Sequence, residues 1–153
     1  AIDKLIQMRK VEGEKISKDI LDKIARIEQK NEEIFSLSTG LIEEYVVKLE
    51  ARVKELLKTE ELDKSRLMQE VVIYADKCSV EEEVTRLRSH IYQLRYLINS
   101  EEPIGKKMDF LIQEMNRETN TIGSKANNLE ITNTVVDIKT ILEDIREQIQ
   151  NIE

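Results

Sequence analysis

NLEITNTVVDIKTILEDIREQIQNI, residues 128–152, decides the fold class. Ile131, Val135, Ile138, Leu142, Ile145, Ile149 and Ile152 recur in alternating steps of four and three. That is a heptad seam, and one held this strictly predicts a long helix lying against a long partner, in the same chain or in another copy. The same rhythm runs through Ile20, Ile24, Ile27, Asn31 and Ile34, with Asn31 its one polar interruption. It returns in Val84, Leu87, Ile91, Leu94 and Ile98. The composition agrees: 40% of the 153 residues are hydrophobic and 36% charged, with four Gly, one Pro and no Trp, so turn signals are few and helix formers abundant. We read the chain as all-α, with long helices forming an antiparallel helical hairpin plus a helical bundle with coiled-coil-like packing. Aromatics at 4% predict a thin, aliphatic core.

Outward from these seams, residues 2–35 read as one helix, with Gly13 awkwardly placed near its start. SLSTG at 36–40 reads as a break. Leu41, Ile42, Tyr45, Val46, Leu49, Val53 and Leu56 then resume the pattern, which predicts a hairpin over about 1–58. The bundle is expected over 60–153. It opens with a helix from about 60 to 77 that turns Leu67, Val71, Tyr74 and Ala75 inward. Ser79 and Glu82 match a capping box that would start the next helix. Pro103 suits the first turn of the helix after that. Residues 1–153 read as a single helical domain. Because Ala1 is not a Met and is already within a helical pattern, the chain reads as a fragment.

Net charge is −7 and the isoelectric point about 5.0. Such a chain binds nucleic acid poorly without help, because that affinity comes from neutralised phosphates. A nucleic-acid role would require a local basic cluster, a divalent metal or another part of the protein. The lone cysteine, Cys78, excludes an intrachain disulfide and fits a reducing compartment. No apolar run approaches membrane-spanning length and no signal peptide is visible, so a cytoplasmic setting is expected. There is no phosphate-binding glycine loop, zinc-type Cys/His spacing or nucleophile elbow. Cys78 reads as a structural or surface thiol.

Two helices carry candidate chemistry. In PIGKKMDFLIQEMNRETNTIGSK (103–125), Ile104, Met108, Leu111, Ile112, Met115 and Ile122 form an apolar face. The opposite face holds Asp109, Gln113, Asn116, Arg117, Asn120, Thr121 and Ser124, where an ordinary surface helix would carry Lys and Glu. Amides and hydroxyls are mediocre helix formers, so this face is a candidate site. Glu114 and Glu118, four residues apart, could offer oxygens to a hard divalent cation, or form an acidic edge partnered by Arg117 and Lys125. Arg117 and Lys125 could hold a phosphate, and Lys106 and Lys107 add charge near the helix start. On the preceding helix, Glu83, Arg86 and His90 lie at i, i+3 and i+7 beside the apolar seam. His90 is either a structural side chain hydrogen-bonded to a neighbouring helix, or a proton donor or metal ligand.

Four stretches together resemble the C-terminal half of the bacterial YicC/YloC family: RKVEGEKI (9–16), EEEVTRLRSHI (81–91), PIGKKMDFLIQEMNRETNTIGSKANN (103–128) and IREQIQNIE (145–153). The resemblance implies a metal-dependent endoribonuclease acting on single-stranded RNA, with manganese the favoured ion and a hexamer the assembly. It also implies an N-terminal αβ domain ahead of this helical half. It singles out Glu82, Glu83, Arg86, His90, Asp109, Gln113, Glu114, Arg117, Glu118, Asn120, Ser124 and Lys125. Chemistry suggests their roles. Glu83, Asp109, Glu114 and Glu118 would hold the metal, which would activate water and offset phosphate charge. His90 would act as general acid or base, working with Glu114 and Glu118. Arg86, Arg117 and Lys125 would clamp RNA phosphates. Two other readings stay open: an oligomerisation module with no activity of its own, and an adaptor that binds a protein through helical grooves.

Overall fold

The computed structural model describes residues 2–57, 63–100, 103 and 105–152. Five helices follow in the order α1 (Ile2–Leu57), α2 (Lys64–Cys78), α3 (Glu81–Ile98), α4 (Gly105–Lys125) and α5 (Leu129–Ile152). No strand occurs among the described residues, as the seams require.

α1, α3, α4 and α5 close a ring in that order, each packed on two neighbours. Cross-helix side-chain pairs fix their directions. On α1, Lys23 meets Gln148 at 3.0 Å and Lys30 meets Asp137 at 2.7 Å, so α5 runs antiparallel to α1. Glu32 with Arg88 and Glu28 with Arg95 set α3 antiparallel to α1 in the same way. Arg86–Glu118 and Glu83–Lys125 do so for α3 and α4. The ring is an up-down four-helix bundle with diagonal pairs parallel. Its centre is the four-three seams: Ile20, Ile24, Ile27 and Ile34 are at most 1% exposed, and the seam residues of α3 and α5 join them. Asn31 lies among these isoleucines. Its Nδ2 donates to the Val84 carbonyl at 3.0 Å, while its Oδ1 is buried without a partner.

The structure corrects the expected hairpin within 1–58. α1 continues through SLSTG for 56 residues, about 84 Å at the α-helical rise. The Ser38 and Thr39 hydroxyls donate to the Phe35 carbonyl one turn back, so neither competes for a turn geometry. A Cβ on Gly40 would meet nothing within 4 Å, so this glycine is a weak helix former on an open face. The hairpin instead joins the end of α1 to α2, where Tyr45 and Tyr74 stack with centroids 3.7 Å apart. The connecting residues 58–62 lie outside the described residues. Leu67, Val71, Tyr74 and Ala75 do turn inward, but they are only half-buried because α2 has one main partner.

The capping box is a second correction. Val80 occupies the N-cap position of α3 with no side-chain cap, and Ser79 instead closes α2. Val80 is 1% exposed, and its packing in the core outweighs a cap worth about 1 kcal/mol. Glu81, Glu82 and Glu83 supply the negative charge that a helix start favours. Pro103 lies two residues before α4 rather than in its first turn. Ile104 and the side chain of Ile152 fall outside the described residues. No described helix is long and apolar enough to cross a membrane.

Candidate functional site

α4 buries Met108, Leu111, Ile112, Met115 and Ile122 against the bundle. Its polar residues fall on two flanks of that stripe. Glu114, Glu118 and Lys125 repeat at i, i+4 and i+11 on the flank toward α3. Asp109 and Gln113 lie on the other, and exposed Arg117 lies between the two flanks on the outer face, beside Glu114. The antiparallel crossing of α3 and α4 lays Glu83, Arg86 and His90 along the first flank, so the two candidate rows share one groove.

In that groove each of two buried carboxylates has a cation. Glu83 accepts from Lys125 Nζ at 2.6 Å, and Glu118 faces Arg86 Nη1 at 3.4 Å. Arg86 also pairs with Glu82 on its own helix. The exposures order the charges: the Glu83 and Glu118 side chains are 4% and 8% exposed, those of Lys125 and Arg86 34% and 50%. Glu83 and Glu118 therefore line the floor, and Lys125 and Arg86 lie nearer the mouth, with exposed Glu82 beside Arg86. The carboxylates of Glu82 and then Glu118 push the Arg86 guanidinium above its ordinary value, so it stays charged at any working pH. Two atoms in the groove wall are unused. Glu83 Oε2 and His90 Nδ1 are buried and have no hydrogen-bond partner, and the His90 ring is half-buried one turn beyond Arg86. Buried polar atoms of this kind are uncommon and mark places where a further group can bind.

The remaining residues are not gathered here. Asp109 accepts from Arg146 Nε of α5 at 3.0 Å and from Gln113 on its own helix, in the groove on the opposite side of α4. Glu114 is linked to Arg117 at 3.5 Å, and that arginine is 76% exposed. Gln113, Asn120 and Ser124 are exposed, and Ser124 and Thr121 return their hydroxyls to carbonyls of their own helix. The amide-and-hydroxyl face is therefore an open surface. Among the described residues no three His, Cys, Asp or Glu side chains are grouped to hold a metal ion. Glu83, Asp109, Glu114 and Glu118 thus form no common metal site within one chain, because a cation has claimed each carboxylate and Asp109 faces α5. Arg146 was not foreseen. It lies between two seam positions, and spacing gives no sign of the carboxylate that it holds.

A family model described as "Endoribonuclease YicC-like, C-terminal" matches residues 34–153. A probable endoribonuclease YicC of Clostridioides difficile is 52% identical over the whole chain, which covers 53% of that relative. A probable endoribonuclease YicC of Haemophilus influenzae is 34% identical over 97% of the chain, covering 51% of its own length. The chain thus spans about half the length of these curated relatives.

Proposed function

The chain belongs to the YicC-like endoribonuclease family by its C-terminal domain, and from that premise we propose that it forms the helical half of an enzyme cleaving single-stranded RNA, with its phosphate site in the α3/α4 groove. The observation that carries this reading is the order of charges: buried Glu83 and Glu118 behind partly exposed Lys125 and Arg86. The buried acids hold the cations in place before any ligand arrives, which lowers the ordering cost of binding. A guanidinium has five donors, and Arg86 keeps some for a phosphate after meeting Glu82 and Glu118. Lys125 brings a second positive charge to the same mouth. His90 would move the proton, the accessible part of its half-buried imidazole accepting from an attacking hydroxyl or, once protonated, donating to the leaving oxygen.

Among the described residues, the carboxylates of one chain are not grouped to hold a manganese ion. Donors from a second copy, or from the rest of a longer protein, would have to complete such a site. Arg117 and Glu114, near the groove but outside the paired cluster, take supporting roles in binding.

The test uses protein of the relatives' full length that carries this chain, with a labelled single-stranded RNA. Arg86→Lys keeps the charge and the fold but loses the fork. We expect its cleavage to fall about 10²-fold, the effect of one misplaced transition-state donor. His90→Gln should lose about 10²- to 10⁴-fold. Wild-type rates from both variants would sink the proposal. The oligomerisation reading keeps one observation in its favour. Leu5, Ile6 and Met8 of α1 and Met68 and Val72 of α2 are large apolar side chains left more than half exposed. A hexamer would cover such surface, and sedimentation of the chain decides whether it associates.

A further inference from the structure

The chain has four Tyr and two Phe. Tyr45 and Tyr74 stack on each other between α1 and α2. Of the other four, three gather at one place: Tyr92 and Tyr96 of α3 and Phe110 of α4, which are 71%, 69% and 60% exposed. They line a groove of about 680 Å³ with Lys106 and Lys107, and among the described residues no Asp or Glu lines it. Exposed rings cost hydration without adding to the core, so three together mark a surface that binds something.

We infer that this groove is a stacking platform for the bases of single-stranded RNA, leading the strand to the Arg86–Lys125 mouth. The inference rests on the RNA reading above and names where the strand lies. Three observations favour this occupant. First, aromatic faces beside lysines are the combination that single-stranded nucleic acid uses: bases stack on rings while cations follow the backbone. Second, the charged side chains in the described lining are lysines, in a chain of net charge −7, and Lys106 alone already brings a cation beside the rings. Third, the platform continues the candidate site. α3 and α4 form both, and ten residues of α3 separate Arg86 from Tyr96, about 15 Å of helix, a reach that a few nucleotides span. Tyr92 and Tyr96 lie at i and i+4, which places their rings one above the other on α3. A helix of a second copy could also fill an aromatic groove, and the experiment separates that case.

Fluorescence anisotropy with a labelled oligouridine and with a duplex RNA, on full-length protein carrying this chain, tests the inference. Tyr92→Ala, Tyr96→Ala and Phe110→Ala should each weaken oligouridine binding about five- to hundredfold, the loss of one stacked base. Tyr92→Phe and Tyr96→Phe should bind like wild type, because the ring and not the hydroxyl is used. Lys106→Ala with Lys107→Ala should flatten the fall of affinity with salt. The duplex, whose bases are unavailable for stacking, should not respond to the aromatic substitutions. If wild type binds oligouridine and the alanine variants bind it equally well, the platform is wrong and the proposed function stands. If the alanine variants change the sedimentation of the protein and not its RNA affinity, the groove is an interface between copies and the inference fails. If wild type binds no single-stranded RNA, both readings fail. If the aromatic variants lose binding while Arg86→Lys and His90→Gln cleave normally, the platform stands and the proposed centre does not.

Discussion

Lys125→Met should destabilise the bundle and a second substitution should rescue it, and the two results separate structure from function at the groove floor. Glu83 is 4% exposed and Lys125 Nζ lies 2.6 Å from its Oε1, while its Oε2 has no partner. Removing the lysine head leaves a buried carboxylate facing nothing. Breaking a fully buried pair costs about 3–5 kcal/mol. Lys125 is one-third exposed, so water already screens part of the attraction and the expected loss is smaller, about 2–3 kcal/mol. For a chain of 153 residues that lowers Tm by about 5–10 °C in a thermal melt followed by circular dichroism. The double variant Glu83→Met/Lys125→Met replaces the pair with apolar side chains of similar length. Such replacements are often neutral or stabilising, so Tm should recover most of the loss. Cleavage by the full-length protein should not recover, because the phosphate cation is still missing. An unchanged Tm in Lys125→Met would refute the claim that the pair is held inside the fold. A double variant both stable and fully active would refute the claim that the pair does anything beyond holding the fold.

Four further outcomes follow from the geometry. Gly40→Ala should raise stability by up to about 1 kcal/mol in urea unfolding, since it adds helix propensity where nothing stands within 4 Å. Gly123→Ala should gain less, because its Cβ would meet Val135 Cγ1 at 3.3 Å. Asp19 is held below the ordinary carboxylate value by the hydrogen bond from Lys23 and then that from Gln148. Its contribution is thus present above the unfolded value near pH 4 and disappears as pH falls through the lower folded value. Asp19→Asn should lose less stability than wild type over that acid range, by a small margin because the carboxylate is half exposed. Manganese added to the 153-residue chain should leave Tm unchanged, since no three of its described ligand-type side chains are grouped. A Tm that climbs steadily with manganese concentration would show a site that this geometry lacks.

The long-range order of the fold was legible because it is written as period. Ile20, Ile24, Ile27, Asn31 and Ile34 are buried as their spacing requires, and so are Ile131, Val135, Ile138, Leu142, Ile145 and Ile149. Local signals misled where a neighbour outweighed them. SLSTG contains weak helix formers, but α1 is fixed at both ends of this stretch by packing, and Phe35 satisfies the hydroxyls within it. Ser79 has the residue type of a cap, yet Val80 is pulled into the core and takes the position. For the site, period placed Glu83, Arg86 and His90 on one flank of their helix and Glu114 and Glu118 on one flank of another. It could not say which flanks would meet. Asp109 and Glu118 look equivalent along the sequence, and the ring order of the helices sends one to Arg146 and the other to Arg86. Tyr92, Tyr96 and Phe110 passed unnoticed for the same reason. Each is an isolated surface aromatic until α3 and α4 are laid side by side.

The charge of the whole chain and that of the described lining of the aromatic groove point in opposite directions, and this limits how RNA could be held. At −7 the chain repels a polyanion beyond contact range, although physiological salt screens that repulsion over about 8 Å. Electrostatic steering is then of little use, and affinity has to arise at contact. In the Arg86–Lys125 groove, Glu83 and Glu118 are paired beneath the cations and Glu82 is paired beside Arg86, which reduces the repulsion that these carboxylates would exert. The rings then add a contribution that salt does not weaken. An acidic helical domain can thus recognise a phosphate chain without a broad basic face. It needs a narrow mouth with two fixed cations, and flat surfaces beside it on which unpaired bases can rest. Duplex RNA offers the phosphates without the free bases, so the proposed platform should favour the single strand.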